Sequence, residues 1–356
     1  MKDHIVASFG PNAEYTRHSE GAFLRLKDGR ILHIYSRFTG TDADDAPSDL
    51  VSLYSSDEGE TWTEAVTTVS ASRFGVQNVM SVSLMRMAND DVGLFFIVKE
   101  DNSAISHIWL ARSNDEAASW YKYTQCTLND RQGYYVLNND RIERLASGRL
   151  LMPMAFHRGG YRSESDSYFF GLGEVCFLYS DDDGETWAES PDTICKPFNG
   201  TGTGLQEPGV IELRDGLLWA YARTDKMFQY ESFSFDGGLH WTVAQPSRFT
   251  SPESPMKIAR NPANGDIVAV WNPIPNYNGR ARTRAGWGRT PIVYAISKDN
   301  GATWGEQRVI EDDPDCGYCY PSVFFTNDGA MLVSYCAGGP DDHICLARLT
   351  MKKLYL

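Results

Sequence analysis

The chain has 356 residues, 42% hydrophobic and 22% charged, with 31 glycines and 16 prolines. That is an ordinary globular composition and excludes a largely disordered chain. Lys and Arg number 33 against 47 Asp and Glu, and the net charge of −14 repels phosphate backbones, so nucleic acid is not an expected partner.

Taken in chain order, two short patterns alternate. The first is a polar turn between two apolar, β-like runs: Ala22 to Leu26 and Ile31 to Tyr35 flank Asp28-Gly29. The second is Ser-x-Asp-x-Gly-x-Thr-Trp, first met at Ser55 to Trp62. A hairpin turn at Asp90-Asp91 is followed by a degenerate copy from Ser113 to Trp120, in which Ala117 replaces the glycine. The turn at Ser147-Gly148 precedes an intact copy at Ser180 to Trp187. Asp215-Gly216 precedes Ser234 to Trp241, where His240 stands for the threonine, and Gly265 precedes the intact Ser297 to Trp304. A last hairpin turn falls at Asp328-Gly329, with no Ser/Asp/Trp turn after it. Successive tryptophans are 58, 67, 54 and 63 residues apart. Asp-Gly between alternating apolar runs is a strong hairpin signal, and no long window carries a 3.6-residue period.

The repeat therefore predicts four-stranded units that cannot bury both faces alone. Radial stacking buries them and leaves only short edges. The expected fold is all-β, a six-bladed β-propeller of four-stranded antiparallel blades, forming one domain over residues 1–356. The N-terminal strand is expected to complete the last blade. In the repeated turn, Ser and Asp cap backbone amides, Gly supplies positive φ and Trp packs between sheets, which is a scaffold role. No apolar run approaches the ~18 residues of a bilayer-spanning helix, so no membrane partner is expected. No leader segment is visible, and seven cysteines without framework spacing suit reduced thiols and a cytoplasmic location. Cys316-Gly-Tyr-Cys319 is an isolated C-x-x-C, and neither a metal nor another cofactor is expected.

In a propeller, residues about nine before each turn glycine, and seven or eight after it, surround the same channel mouth. The first ring contains Ser19, Glu20, Ser81, Asn139, Asp140, Glu207, Met256 and Tyr320. The second contains Arg37, Lys99, His157, Arg223, Asn272 and Cys336. Two rings of carboxylates, cations and a tyrosine make a polar pocket, where a packed plug would need Val, Ile and Leu.

With these residues in place, the chain resembles the sialidase (neuraminidase) superfamily over essentially its whole length. Glu207, followed 16 residues later by Arg223, resembles that family's segment carrying the base Glu and second clamp arginine. Arg289, eight residues before Ser297, resembles its third arginine, and Tyr320, nine before Gly329, its nucleophilic tyrosine. Arg280, Arg282 and Arg284 precede Arg289 in a basic stretch. The resemblance implies a retaining exo-glycosidase that releases a terminal acidic sugar from a glycan. A tyrosine activated by Glu avoids the repulsion a carboxylate nucleophile would meet at such a sugar. Arginine forks would hold the sugar's carboxylate. The implied acid lies among Asp42, Asp44, Asp45 and Asp49, with Asp45 favoured.

The chain departs from the family's pattern in two places. Ser19 stands where the first arginine is expected, and Cys336 stands where its glutamate partner is expected. Arg37 or Arg17 could restore the charge, or His18, Ser19 and Glu20 could hydrogen-bond another acidic sugar such as a uronic acid; Asp140 is a further candidate substrate contact. Two other functions fit the same residues: a glycan-binding propeller without turnover, and a hydrolase or lyase acting on uronic acid-containing glycans.

Overall fold

A computed structural model describes residues 2–100, 104–163, 166–195, 197, 199–275 and 286–356. Arg280, Arg282 and Arg284 lie outside the described residues. The chain is all-β with a propeller-like arrangement, and among the described residues helix is limited to 3₁₀ turns of three or four residues. No described helix is long and apolar enough to cross a membrane.

The strands pair in antiparallel groups that follow chain order. Arg17–Arg25, Ile31–Phe38, Ser48–Ser55 and Val66–Val69 form the first. Asn78–Arg86, Val92–Lys99, Ser106–Ser113 and Lys122–Gln125 form the second, and a parallel bridge between Ser48 and Asn78 links the two sheets. In the third, Tyr134–Val136 and Glu143–Arg144 both pair with Leu150–His157, which continues to Glu174–Ser180 and Ala188–Glu189. Gln206–Glu212 to Gln245–Thr250 make a four-stranded sheet, as do Lys257–Arg260 to Arg308–Glu311. Gly317–Phe325, Ala330–Gly338 and Leu349–Tyr355 make the last, and its fourth strand is the N-terminal His4–Phe9. An extra hairpin, Gly159–Ser163 with Asp166–Phe169, rises from the third group.

Apolar side chains fill the spaces between consecutive groups. Phe95 and Ile97 meet Met152, Met154 and Cys176 between the second and third. Ile31, Tyr35, Val51 and Leu53 of the first meet Leu332, Leu349 and Met351 of the last, so the circuit closes on itself.

The Ser/Asp/Trp turns have the scaffold geometry the sequence predicts. At Ser180 to Trp187, Ser180 Oγ donates to Asp182 Oδ1 (2.7 Å) and accepts from the Gly184 amide (2.7 Å). Asp182 accepts from the Thr186 amide (2.9 Å) and hydroxyl (2.5 Å). The degenerate copies keep this pattern. Ala117 adopts φ +65 in place of glycine, and His240 Nδ1 reaches Asp236 at 2.7 Å in place of the threonine hydroxyl.

The opposite ends of the inner strands carry what the site needs. Register shifts occur between Ser19 and Ala22, Met80 and Ser83, Gln206 and Gly209, and Cys319 and Ser322. At each shift one residue has a positive φ: Glu20 (56), Ser81 (57), Glu207 (48) and Tyr320 (54). Asp140, at φ 57, occupies the matching place in the third group. A β-bulge inserts one residue and re-aims its side chain, and such left-handed conformations concentrate at functional sites.

Candidate active site

The bulges turn Glu20, Glu207 and Tyr320 into one cleft of about 230 Å³, where Arg223 and Arg289 join them. Asp44 and Lys99 line the same space, and Tyr134, His157, Phe169 and Trp287 supply aromatic wall. Two roomier surface grooves, of about 770 and 700 Å³, gather no comparable set: the first includes Glu100 and His107, the second Asp266, Lys298, Glu306 and Arg308. The smaller space is the one that gathers Tyr320, three carboxylates and two arginines.

The Tyr320 hydroxyl donates to Glu207 Oε1 at 2.5 Å, and Arg223 Nη1 donates to Glu207 Oε2 at 2.6 Å. Burial, reinforced by the Glu207 carboxylate, holds the Tyr320 hydroxyl well above its ordinary pKa. It is therefore a protonated phenol with a base already in contact. Arg223 also donates to Glu253 Oε1 at 3.1 Å. Arg289 lies 5.7 Å from the Tyr320 ring centre and 5.0 Å from that of Trp287.

Across the cleft, Arg17 binds two carboxyls. Its Nη1 is 2.5 Å from Asp44 Oδ1, and its Nη2 is 3.4 Å from Glu20 Oε2. Ser81 Oγ donates to Glu20 Oε1 at 3.3 Å. The two carboxyls are driven apart. Burial raises Glu20 to about 7 despite Arg17. Asp44 sits at the rim with its side chain 68% exposed; crowding by neighbouring groups pushes its pKa upward, but Arg17 and Lys99 overcome this and bring the group to about 2. Lys99 Nζ donates to the Asp44 carbonyl at 2.6 Å, and Asn78 Nδ2 holds the same carbonyl at 3.1 Å, which fixes the rim loop.

The structure thus brings together Tyr320, Glu207, Arg223, Arg289 and Glu20, and moves other expectations. Among the four loop aspartates Asp44 lines the cleft, while Asp45 is exposed and outside it. Asp49 instead accepts from the Ala71 amide at 2.8 Å. Arg37 does not reach the mouth. Alternation along the strand gives the inward position to Ser36, whose Oγ accepts from the Ser81 amide at 3.0 Å. The Arg37 guanidinium instead stacks 3.9 Å from the Tyr15 ring centre. Arg17 comes nearer, with Nη2 3.3 Å from Ser19 Oγ, but stays buried behind Glu20 and Asp44. Ser19 itself is fully buried and touches Cys336 (Oγ to Sγ 3.2 Å), so the two departures from the family pattern form one contact. Asp140 does not line the cleft. It pairs with Lys257 Nζ at 3.0 Å and accepts from the Val323 amide at 3.2 Å. Tyr134, Phe169 and Trp287 were not singled out from sequence. Phe169 arrives on the extra hairpin, which no repeat announces.

An all-β, propeller-like chain with a tyrosine, a carboxylate and arginines converging at its mouth is the class these features define. Residues 29–333 match the family model of the BNR repeat-like domain, and the chain belongs to that family and to the sialidase superfamily. An anhydrosialidase of Macrobdella decora is 26% identical over 248 residues, which is 65% of this chain and 29% of that protein. The chain therefore spans under a third of that relative's length. Among solved structures, a Dyadobacter fermentans protein of unknown function superposes with TM-score 0.71 at 18% identity, covering 99% of both chains. A leech intramolecular trans-sialidase gives 0.73 at 14% identity, covering 100% of this chain and 70% of the other. The NanB sialidase of Streptococcus pneumoniae gives 0.70 at 14%, covering 99% and 70%. At these identities the superpositions speak for the fold.

Proposed function

We propose that the protein is a retaining exo-glycosidase, a six-bladed propeller of one domain that releases a terminal acidic sugar, sialic acid or a relative, from a glycan. The observation that carries this reading is the Tyr320–Glu207–Arg223 relay, with 2.5 Å and 2.6 Å contacts, in a cleft that also holds Arg289. Glu207 takes the phenolic proton as the Tyr320 oxygen attacks the anomeric carbon, and the glycosidic bond breaks to leave a covalent glycosyl-tyrosine. Asp44, at the exposed rim, is the acid that protonates the leaving oxygen and later the base that activates water. Arg223 and Arg289 receive the sugar's carboxylate. Localisation in the cytoplasm is part of the same proposal.

The test is hydrolysis of an aryl α-sialoside, an aryl β-glucuronide and neutral aryl glycosides, with Tyr320→Phe as control. Cleavage of the sialoside, lost in the variant, supports the full reading. Proton NMR of the product then separates the free sugar from an internal anhydro sugar, a distinction raised by the anhydrosialidase relative. Cleavage of another acidic glycoside alone would assign the Ser19–Cys336 contact to a changed substrate. Silence with retained glycan binding would replace the enzyme with a binding propeller. An unsaturated, near-ultraviolet-absorbing product from a polyuronide would replace it with a lyase.

A further inference from the structure

Three arginines stand around the cleft, Arg17 and Arg289 buried and Arg223 nearly so, and each needs a counter-charge, because an isolated buried cation is strongly disfavoured. Arg17 has Asp44 and Glu20. Arg223 has Glu207 and Glu253. Arg289 is only 3% exposed, yet among the described residues no carboxylate pairs with it. Its Nε donates to the Glu253 carbonyl at 3.1 Å, and its Nη1 points at Cys319 Sγ at 3.2 Å, with Cys345 Sγ at 3.9 Å.

We propose that Cys319 stands as a thiolate, the counter-ion that positions Arg289. Cys319 is fully buried, and Cys345 Sγ lies 3.9 Å from its sulfur. Burial alone would keep the thiol protonated. Hydrogen bonds from the Cys336 and Cys345 thiols, together with Arg289, outweigh burial and bring Cys319 well below its ordinary pKa, while Cys336 and Cys345 are pushed well above theirs. One sulfur of the three thus carries the charge and the other two donate to it. The isolated C-x-x-C contributes only this member: Cys316 is half-buried beside Gly339, outside the cluster. The cluster is adjacent to the reaction centre, since Cys319 precedes Tyr320 and Cys336 reaches Ser19. That Arg289 then presents its fork to a substrate anion rests on the proposed function. The thiolate itself does not.

Two measurements keep these apart. Thiolate absorbance near 240 nm, followed against pH, should show one thiolate at pH 7 in the native protein. The signal should be missing in Cys319→Ser and shifted to higher pH in Arg289→Gln. No difference between the native protein and Cys319→Ser at pH 7 would overturn the thiolate, as would a signal indifferent to Arg289→Gln, whatever the enzyme cleaves. For positioning, Cys319→Ser should raise KM for an anionic glycoside about tenfold with kcat within about twofold, and Cys319→Asp, which restores an anion, should recover most of it. Unchanged KM in Cys319→Ser, or no recovery in Cys319→Asp, would overturn the positioning role. A neutral-pH thiolate in a protein that cleaves no glycoside would leave the Cys319–Arg289 pair standing and remove the function.

Discussion

Under the proposed mechanism Tyr320 and Glu207 are a reactive pair held in check: the phenol stays protonated, but its proton already lies on the line to the Glu207 carboxylate. The opposite wall determines when that pair can be used. Asp44, held near 2 by Arg17 and Lys99, must gain a proton before it can serve a leaving group. Asp44→Asn should therefore lower turnover of glycosides with sugar leaving groups about 100-fold or more, while an aryl glycoside with an acidic leaving group should suffer far less. Equal loss on both substrates would deny Asp44 the acid role. Glu20 gives a stability signature. Its carboxyl titrates near 4.5 when unfolded and about 7 when folded, so both states are protonated below 4.5. Between 4.5 and 7 the unfolded state ionises first, and stability is lost as pH rises through that window, on the order of 3 kcal/mol in full. Glu20→Gln removes that dependence, so the variant should gain on the native protein between pH 4.5 and 8 in urea unfolding. A constant difference would deny the shift. Ionisation of Glu20 also adds a negative charge beside the proposed anion site, and the same variant should flatten a fall in kcat/KM above pH 7. Residues of this kind were partly legible in the sequence. Glu20, Glu207 and Tyr320 share one offset from a turn glycine, and the bulge makes that offset mean the same place in each group. Asp44 and Asp45 differ by one loop residue, which no periodicity resolves. Arg37 faces away from the mouth that the turn offset predicts for it, because a one-residue step along a strand selects the opposite face.

Within one strand group, the order of events along the chain explains why the repeat was so readable. A hairpin turn and a Ser/Asp/Trp turn are both local, held by hydrogen bonds between residues two to four apart, so their signal survives in sequence. Asp182 accepts from one amide and two hydroxyls, in bonds of 2.9, 2.7 and 2.5 Å. Removing it in Asp182→Ala leaves those donors to water. Since the carboxylate is charged and the turn is partly exposed, a loss of about 1–2 kcal/mol in urea unfolding is expected, with little change in KM because the turn is at the end away from the cleft. A variant as stable as the native protein would make the motif decorative. The parts that were not legible are the ones without local hydrogen-bond logic. The extra hairpin carrying Phe169 interrupts the third group without altering the repeat on either side. Tyr134 enters through Tyr134–Val136, a short strand sharing Leu150–His157 with Glu143–Arg144, and nothing in its own composition distinguishes it from a loop.

Across the whole molecule, the ring must be closed, and the structure closes it in three ways. His4–Phe9 pairs with Leu349–Tyr355, which puts both chain ends in one sheet. Glu58, in the first Ser/Asp/Trp turn, binds Arg25 of its own group (2.7 Å) and accepts from the Asn327 amide of the last hairpin (2.9 Å). Lys353, fully buried, joins Glu60 and Asp328 at 2.8 and 2.7 Å. The contact from the Asn327 amide to Glu58 repeats a stitch used elsewhere, since Glu116 accepts from the Lys27 amide (2.7 Å) and Asp183 from the Ala88 amide (3.0 Å). The closure is thus one more copy of the contact between neighbours, with the N-terminal strand added. Deleting residues 2–9 removes that strand while keeping the stitches. It leaves Leu349–Tyr355 as an open edge, uncovers part of the core around Met351 and Leu349, and offers a template for pairing with a second chain. The truncated protein should melt about 10 °C or more lower and elute with dimers or larger species in size exclusion. Its candidate cleft, built by bulges on other strands, should still give native KM in the monomer that remains. A truncated monomer with native Tm would mean that the Glu58 and Lys353 contacts hold the ring without the strand.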